Sequence, residues 1–595
     1  MKNSRKFLAA CVAACAAPLA QASVHDHIFA GHFDPIADLP ANSAEAARFL
    51  TQATFGPTPA DIALVSRLGY SEWLDEQLSY PATLSEPTVA AVVNARTGGG
   101  QGVGQSQRLN RWFWQATYSP DQLRQRMAFA LSQIFVVSDQ SSAIGGDVVP
   151  MAHYQDLLAT DAFGIYRQLL EDVTYNPTMG RYLNTFHNVK ATCAGVPPVC
   201  TTSPDENYAR EVMQLFSIGL VQLDMQGNVV LSGGVPVPTY DQSVITSTAK
   251  VFTGFTFSDA PLGDPNNNYS GANFYGGGST FLGQYATMNC WGTELFPYSN
   301  GNMRHDITGD DNTLSTPKTV LGGVTIPAGQ SCGQDVADEL DTIAAHTNVA
   351  PFITRQLIQR FVTSNPSPAY IGRVTSVFEN SGGDLGDVLK AILTDTEARN
   401  PPALGATSET DSYGKLREPV LRITAMWRAW NAKAPAADAY GEIAMTGGGN
   451  SVGNLGQAPL ESPTVFNFYT PDFAQPGVFA DNALTSPEFQ IVNESILYSL
   501  TNTFYSLTAG SYQGMTTPPT SRPLIDLSTL TTSGITEAQI VNTVNANMLY
   551  GSMSSGMQTA LTSMIHSGLN GASAAEKAWS AIYLTMISPE YAAQR

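Results

Sequence analysis

Apolar residues recur at steps of three and four along several stretches of the chain, and this spacing predicts amphipathic helices. The clearest stretches run from Leu123 to Phe135, from Phe352 to Phe361 and from Leu385 to Leu393. Valine, threonine and phenylalanine alternate near glycine and proline at 228–240, 249–257 and 318–327, a pattern typical of short β segments. We therefore predict a mainly α fold, a multi-helix globular body with short β-hairpin insertions and long ordered loops.

The most informative predicted helix lies at 204–220. Ser203 and Glu206 have the spacing of a capping box, and Pro204 falls at the first helical position. The apolar side of this helix consists of Tyr208, Val212, Leu215 and Phe216. The opposite stripe consists of Glu206, Arg210 and Gln214, with Asn207 and Glu211 beside it. A polar set on a helix whose other side is core marks the first place to look for a functional site.

Residues 1–22 have the features of an export signal. A basic start at 2–6 precedes an apolar run from Phe7 to Leu19, and Ala20-Gln21-Ala22 supplies the small residues that signal peptidase requires. We predict a mature chain that is periplasmic or secreted. The alternative is a lipoprotein anchored at Cys15, because the residues around this cysteine resemble a lipobox.

The composition suggests long loops. Charged residues make up only 13% of the chain, whereas an average soluble protein has about 25%. Stretches rich in Gly, Asn, Thr or Pro predict loops at 98–104, 260–278, 447–453 and 515–523. The predicted organisation is an N-terminal linker at 23–45 and one long domain at 46–595, with possible internal boundaries near 405 and at 515–535.

The chain is acidic, with 30 Lys and Arg residues against 50 Asp and Glu residues and a formal net charge of -20. Removal of the signal would take away three basic residues, so the net charge would become 27 minus 50, or -23. We expect no nucleic-acid partner, because nucleic acids bind basic surfaces. We also expect no transmembrane segment, since no stretch after the signal is apolar enough to span a bilayer.

Four cysteines remain after the signal: Cys193, Cys200, Cys290 and Cys332. An even number of cysteines in an oxidising compartment favours disulfides. Three pairings are possible. We favour Cys193–Cys200, which closes a short loop stiffened by two prolines, and this leaves Cys290–Cys332 as the second bridge. A four-thiolate zinc site is the alternative, although the chain has no C-x-x-C pair.

A further metal site depends on the terminus that cleavage would create. Cleavage after Ala22 would leave Ser23-Val24-His25 at the start of the mature chain. A free amine, two backbone amides and the His25 imidazole supply four nitrogens in the square-planar arrangement that Cu(II) favours. The alternative is a flexible terminus whose histidine binds nothing.

Several sequence segments, in a fixed order, identify relatives. They are Ala47–Thr58, Leu123–Phe129, 203–220, Thr239–Asp241, Phe252–Phe255, His305–Asp306, Leu321–Gly323, His346–Val362, Leu455–Gln457 and Ser588–Tyr591. Together they resemble the bacterial family catalogued as domain of unknown function 1800, from about Ala46 to the C-terminus. The resemblance implies an exported bacterial protein. It also implies a co-exported partner, because family members are often encoded beside a second exported family, but it implies no particular reaction.

The chain also departs from the family pattern. Many relatives have a histidine-rich stretch where this chain has Ala130–Phe135, and a histidine where it has Phe216. This difference argues against a metal site built from those histidines. The matched polar positions that remain are Arg48, Arg124, Arg126, Asn207, Arg210, Glu211, His305, Asp306 and Gln457.

These matched positions allow two interpretations. In a catalytic site, Glu211 would be the acid or base, and Arg210 would position an anionic or hydroxylated substrate. His305 and Asp306 would form a second acid–base pair. The candidates for substrate binding are Arg48, Arg124, Asn207 and Gln457. In the structural interpretation, the same charges form buried salt bridges between helices, so that Arg210→Ala destabilises the fold.

Two functional hypotheses follow. The first is an exported enzyme of unassigned reaction that acts on a cell-surface or extracellular polymer through a polar site on the 204–220 helix. The second is a non-catalytic binding or assembly protein that works with a co-exported partner. A solvent-reached cleft at the helix favours the first hypothesis, and full burial of paired charges favours the second.

Overall fold

Helices are the main secondary structure, which confirms the predicted mainly α fold. The structure, a computed structural model, describes residues 38–258, 286–290, 305–402, 412–447, 454–508 and 519–595. The predicted signal peptide, the lipobox at Cys15 and the copper site at His25 lie outside these residues. The loop predicted at 260–278 lies outside them too, as do parts of those at 447–453 and 515–523.

The first part of the chain folds into eleven helices within residues 38–258. They are α1 (Ser43–Ala53), α2 (Pro59–Leu68), α3 (Tyr70–Ser79), α4 (Glu86–Gly98), α5 (Gln105–Tyr118), α6 (Gln122–Ser132), α7 (Val148–Thr160), α8 (Tyr166–Thr174), α9 (Pro177–Tyr182), α10 (Asn207–Gln214) and α11 (Gln242–Val251). A short 3-10 turn, Asp161–Phe163, joins α7 to α8. The side chains of Asn42, Thr58 and Asp241 cap α1, α2 and α11 by accepting backbone N–H bonds.

The second part contributes the helices within the described residues after 305. They are α12 (Cys332–Ala344), α13 (Val349–Phe361), α14 (Pro368–Asn380), α15 (Leu385–Thr394), α16 (Thr396–Arg399), α17 (Pro419–Ala429), α18 (Val478–Asp481), α19 (Glu494–Thr508), α20 (Glu537–Val544), α21 (Ser555–Ser563), α22 (Ala574–Ile587) and α23 (Pro589–Ala592). The three stretches with the clearest apolar spacing correspond to α6, α13 and α15, so those predictions are confirmed. None of the described helices combines the length and apolarity needed to cross a bilayer.

The described strands are short and pair as antiparallel two-stranded sheets. The pairs are β1 (Cys193–Ala194) with β2 (Val199–Cys200), β3 (Leu231–Ser232) with β4 (Val235–Pro236), β5 (Phe255–Thr256) with β6 (Asn289–Cys290), β7 (Lys318–Thr319) with β8 (Thr325–Ile326), and β9 (Lys415–Leu416) with β10 (Ala593–Gln594). The predicted hairpins at 228–240 and 318–327 are confirmed. The segment predicted at 249–257 is wrong in its first half, because α11 continues to Val251 and buries Ala249 and Val251 in the core.

Helix α10 is shorter than the helix predicted at 204–220. Its first residue is Asn207, and the carboxylate of Asp205 accepts the Asn207 backbone N–H at 2.8 Å. Residues before Asn207 stay outside the helix because the Asn188 side chain binds both the N–H and the C=O of Asp205, at 2.8 and 3.1 Å. The predicted capping box at Ser203 is therefore wrong. The helix ends at Gln214, and Gly219 then adopts a left-handed φ of 70°.

Two large apolar cores, with a small third cluster between α4 and α7, hold these elements together within one compact unit, Ile36–Arg595. The first core collects most of the helices from α1 to α16, including the apolar side of α10. The second core collects α5, α17 and α19 to α22. The internal boundaries near 405 and at 515–535 stay predictions.

The four cysteines within the described residues form two pairs at disulfide distance. The Cα atoms of Cys193 and Cys200 are 3.8 Å apart, across the β1–β2 hairpin. Those of Cys290 and Cys332 are 6.0 Å apart and connect β6 to the start of α12. These are the pairs that the sequence favours, and none of the four described cysteines keeps a thiolate for the alternative zinc site.

Candidate functional site

An acidic cavity of about 310 Å³ lies beside α7 and α8. Its lining residues are Leu84, Glu86, His153, Asp156, Leu157, Thr160, Asp161, Asp172, Tyr175, Asn176 and Thr287. On α7, His153, Asp156 and Thr160 are three and four positions apart, so they lie on one face of the helix. Four of the lining side chains carry carboxyl groups, which makes this cavity a candidate for acid–base chemistry.

Asp156 holds the start of α4 at the edge of this cavity. Its two carboxylate oxygens accept the backbone N–H groups of Ser85 and Glu86, both at 2.7 Å. Burial raises the pKa of Asp156 to about 7, although these two hydrogen bonds act in the opposite direction. Asp156 therefore anchors a helix and also binds a proton near neutral pH.

Asp161 and Asp172 are neighbouring carboxyl groups in the lining of the same cavity, and their interaction contributes to the pKa of Asp161. Burial, followed by the charge and the hydrogen bond of Asp172, raises the pKa of Asp161 to about 7. Because two carboxylates this close resist simultaneous ionisation, the pair holds one proton near neutral pH. The Gln168 side chain donates to Asp172 Oδ1 at 3.0 Å and helps to fix the pair. The sequence offers no signal for it, since the two residues come from different elements and share no motif.

A larger cavity has a different character. It measures about 460 Å³ and is lined by Ser43, Pro57, Pro59, Ile62, Asn542, Asn545, Ala546, Asn547, Tyr550 and Gly551. Its one ionisable side chain is Tyr550, whose pKa burial raises to about 12. This cavity offers no acid–base pair.

The polar stripe of α10 lies at the surface. Arg210 Nη2 is 3.3 Å from Glu206 Oε2, and these two side chains are 40% and 31% exposed. Gln242 and Thr246 of α11 also donate to the Glu206 carboxylate, both at 2.9 Å. The interpretation of Glu206 and Arg210 as a buried salt bridge is therefore wrong, because the first turn of α10 projects beyond the core and leaves both groups in contact with solvent.

Glu211, the next residue on α10, is only 6% exposed. Burial raises its pKa, and the neighbouring Arg210 charge lowers it. Tyr182 and Tyr240 flank this carboxyl, and burial, with a smaller contribution from Glu211, raises the pKa of each tyrosine to about 12. Glu211 Oε2 and the Tyr240 hydroxyl are both buried without a hydrogen-bond partner in the described structure. The helix thus combines an exposed ion pair with a buried, unsatisfied carboxyl group.

The exposure of Arg210 changes the expected effect of its removal. We expect Arg210→Ala to lower the free energy of unfolding by less than about 1 kcal/mol, because exposed ion pairs contribute little. Urea unfolding of the variant and the parent measures this difference. Arg108→Ala is the matched control, since Arg108 is fully buried and lies 2.9 Å from Asp139, so its loss should cost about 3 to 5 kcal/mol. Equal losses in the two variants would contradict the surface assignment.

Arg48 and Arg124 bind backbone carbonyls rather than an open site. Arg48 donates to the C=O groups of Ala398 and Arg399 at the end of α16. Arg124 donates to Ala159 and Thr160 at the end of α7, at 3.1 and 3.2 Å, and lies over the Phe163 ring at 4.3 Å. In both cases a cation satisfies the free carbonyls of a helix C-terminus. Their proposed role in substrate binding therefore gains no support from their contacts.

His305 and Asp306 do not form a pair with each other. The His305 side chain is fully buried, with Nε2 at 3.0 Å from Asp335 Oδ2. Lys318 Nζ lies 2.6 Å from the same oxygen. Asp306 instead accepts the backbone N–H and the hydroxyl of Thr308, at 3.0 and 2.6 Å. This buried network ties α12 to the chain around β7, and its contacts are those of a structural element.

Gln457 and Asn207 have different surroundings. Gln457 is 2% exposed and donates to the buried carboxylate of Glu418, which also accepts from Gln133 at 2.5 Å. Asn207 is half-buried at the first position of α10. The structure thus brings together Asn207, Arg210 and Glu211 on one helix, whereas it disperses the other predicted site residues.

Within the described residues, no three or more His, Cys, Asp or Glu side chains are arranged to hold a metal ion. The observed features define a mainly α-helical protein with an acidic cavity and several buried charge networks. The chain belongs to the family described as protein of unknown function, DUF1800, whose model matches residues 48–593. This confirms the family resemblance read from the sequence. No curated protein and no solved structure matches the chain.

Proposed function

We propose that the chain is an exported enzyme that activates water with the carboxyl pair Asp161–Asp172. The observation that carries this proposal is the presence of two neighbouring carboxyl groups, Asp161 and Asp172, in the lining of a 310 Å³ cavity, where burial raises the pKa of Asp161 to about 7. Near neutral pH the pair offers one protonated carboxyl group, which donates a proton to a leaving group. The other, ionised carboxyl group takes a proton from water.

The closeness of the two carboxyl groups favours one class of hydrolysis. Glycosidases separate their carboxyl groups by about 5 to 9.5 Å, whereas Asp172 acts on Asp161 strongly enough to raise its pKa further, as an adjacent carboxyl group does. A shared proton between adjacent carboxyl groups is the arrangement of aspartic-protease dyads. The interaction between the two carboxyl groups therefore favours hydrolysis by a pair that shares a proton over glycoside cleavage.

The proposed substrate is a cell-surface or extracellular polymer. Three observations support an exported setting: the signal features at 1–22, the two cysteine pairs at disulfide distance, and the low content of charged residues. A cavity beside loop residues such as Leu84 and Thr287 suits a chain-like substrate, because loops on a rigid helical frame commonly form binding clefts.

Helix α10 remains a second candidate for the reaction site. The unsatisfied Glu211 Oε2 and Tyr240 hydroxyl favour it, because a buried polar atom without a partner is costly and often marks a functional position. If α10 carries the reaction site, Glu211 is the acid or base, and Arg210 at the surface positions an anionic or hydroxylated group of the substrate. The acidic cavity is preferred because it provides space for a substrate beside its carboxyl groups.

The rival proposal is a non-catalytic binding or assembly protein that works with a co-exported partner. It is supported by the buried contacts of Arg48, Arg124, His305 and Gln457, which stabilise helix packing. Loss of the carboxyl pair distinguishes the two, because a binding protein does not need a shared proton.

We expect Asp161→Asn and Asp172→Asn each to lower hydrolysis by at least about 100-fold, the usual contribution of a general acid or base. Activity of the parent should fall as the pH rises through about 7, since Asp161 then loses its proton. The measurement is the release of soluble fragments from labelled proteins and polysaccharides by the purified mature chain. Asp481→Asn, at an exposed position of α18, is the matched control. Unchanged hydrolysis in both variants would contradict the proposal.

A further inference from the structure

Four aromatic side chains form a surface on α19 and α22. Tyr498 and Tyr505 lie on α19, and Trp579 and Tyr583 lie on α22. We infer that this aromatic surface binds a neutral polysaccharide chain. The inference goes beyond the proposed hydrolytic function, because it concerns what holds the protein in place rather than the bond that it cleaves.

The two tyrosines of α19 face solvent on the same side of the helix. Tyr498 is 76% exposed and Tyr505 is 47% exposed. On the opposite side of the helix, Leu500 and Phe504 are buried in the second core. Seven positions separate Tyr498 from Tyr505, which corresponds to about 10 Å along a helix axis. This distance is close to the length of a disaccharide unit in an extended β-linked chain. The two rings are therefore spaced to contact alternate sugars.

Tyr505 is held in place by its neighbours on α22. Its ring centroid lies 6.0 Å from that of Trp579 and 5.5 Å from that of Tyr583, and both contacts are edge-to-face. Such contacts stabilise aromatic pairs beyond the area that they bury. Fixed aromatic rings lose little conformational entropy on binding. Tyr505 is therefore ordered before a ligand arrives.

The chemistry of this surface selects a neutral sugar polymer among the possible ligands. A sugar ring has an apolar face that packs on an aromatic ring, and its hydroxyl groups can bond the polar end of tyrosine. Helix α19 has one charged residue, Glu494 at its first position. The whole chain has a net charge of -20, which repels acidic polymers. On α22, Lys577 is paired with Glu537 at 2.9 Å and is accompanied by Glu576. An anionic membrane would require a cluster of basic side chains that these two helices do not have, so charge complementarity leaves a neutral partner.

A protein partner fits this surface less well. Stable protein–protein interfaces bury about 800 Å² on each partner and involve roughly 20 to 30 residues a side. The exposed large apolar side chains of α19 are only Leu497, Tyr498 and Tyr505. A narrow row of rings with this spacing suits a single extended chain.

The test is affinity gel electrophoresis of the full mature chain in gels that contain hydroxyethyl cellulose, dextran or alginate. We expect hydroxyethyl cellulose to retard the parent. The double variant Tyr498→Ala/Tyr505→Ala should bind hydroxyethyl cellulose at least about tenfold more weakly than the parent, because removing aromatic anchor residues usually has an effect of this size. Tyr498→Ala alone should bind the polysaccharide several-fold more weakly than the parent. This variant should fold normally, because Tyr498 is the most exposed of the four aromatic residues. Leu497→Ala is the matched control and should leave retardation unchanged, since it removes an exposed aliphatic side chain from the same helix.

Three results would overturn the inference. They are the absence of retardation by both neutral polymers, equal retardation of the parent and the double variant, and stronger retardation by alginate than by hydroxyethyl cellulose. Retardation by dextran alone would reject the β-linked spacing argument. The hydrolytic proposal is tested separately by Asp161→Asn, which should bind polysaccharide like the parent. Loss of polysaccharide binding therefore leaves the cavity proposal standing, and the reverse also holds.

Discussion

Glu418→Ala should lower the free energy of unfolding by about 3 to 5 kcal/mol, because it leaves buried cations without their counter-charge. Glu418 is fully buried at the start of α17. Its charge acts on Arg126 and on Lys415, which are 2% and 6% exposed, and burial lowers the pKa of both. Lys415 Nζ has a second carboxylate partner, Glu488 Oε1, at 2.8 Å. Arg126 forms no ion pair among those described, and Glu418 is the carboxylate that acts on it most strongly, with a smaller effect from Glu488. The variant therefore removes the main counter-charge of Arg126.

Urea unfolding of the parent and the variant measures this effect. The free energy of unfolding of Glu418→Gln should lie between those of the parent and Glu418→Ala, because glutamine keeps the shape of the side chain and one hydrogen-bond acceptor while removing the charge. Glu72→Ala is the matched control, since Glu72 is exposed in the first turn of α3 and its loss should change stability by less than about 0.5 kcal/mol. A loss below about 1 kcal/mol for Glu418→Ala would show that the cluster does not depend on this carboxylate.

The fold was predictable from the sequence wherever local chemistry decides it. Apolar spacing locates α6, α13 and α15, because packing of one helix face onto a core imposes that period. Alternating Val, Thr and Phe residues near Gly and Pro locate the hairpins β3–β4 and β7–β8, because strand and turn preferences also act between near neighbours in the sequence. The Cys193–Cys200 pair follows from a short loop whose ends meet in β1 and β2.

The failures come from contacts between distant parts of the chain. The start of α10 shifts to Asn207 because the Asn188 side chain, which no helix-capping rule includes, binds Asp205. The Asp161–Asp172 pair depends on how α7, the 3-10 turn and α8 meet. Capping and periodicity describe only neighbours within a few residues, so such long-range pairs are invisible to them.

Four of the matched polar positions of the family share one property that the sequence did not reveal. Arg48 and Arg124 bind the carbonyls at helix ends, and Gln457 binds a buried carboxylate. His305 lies in a fully buried network with Asp335. Groups of this kind are costly to bury unless each has its partner, so their positions are constrained by folding alone. Motif membership is therefore weak support for a catalytic role at these residues.

Glu339 is a fully buried carboxyl group on α12. Burial raises its pKa to about 7, the Asp335 charge adds to this rise, and a hydrogen bond from Thr248 at 3.0 Å opposes it. The folded chain therefore holds a proton on Glu339 at pH values where the unfolded chain, with a pKa of about 4.3, has released it. Stability from this group is fully present below about pH 4.3 and is lost as the pH rises through about 7.

Glu339→Gln copies the protonated state, so it should remove this part of the pH dependence. We expect the variant to exceed the free energy of unfolding of the parent by about 1 kcal/mol near pH 5 and by about 4 kcal/mol near pH 8, at about 1.4 kcal/mol per unit of pKa shift. His305 and Lys318 contact Asp335 and not Glu339, so they stay in place in both proteins. Glu72→Gln should show no such difference, because this side chain is exposed. An equal difference between Glu339→Gln and the parent at pH 5 and pH 8 would mean that Glu339 is ionised in the folded chain throughout that range.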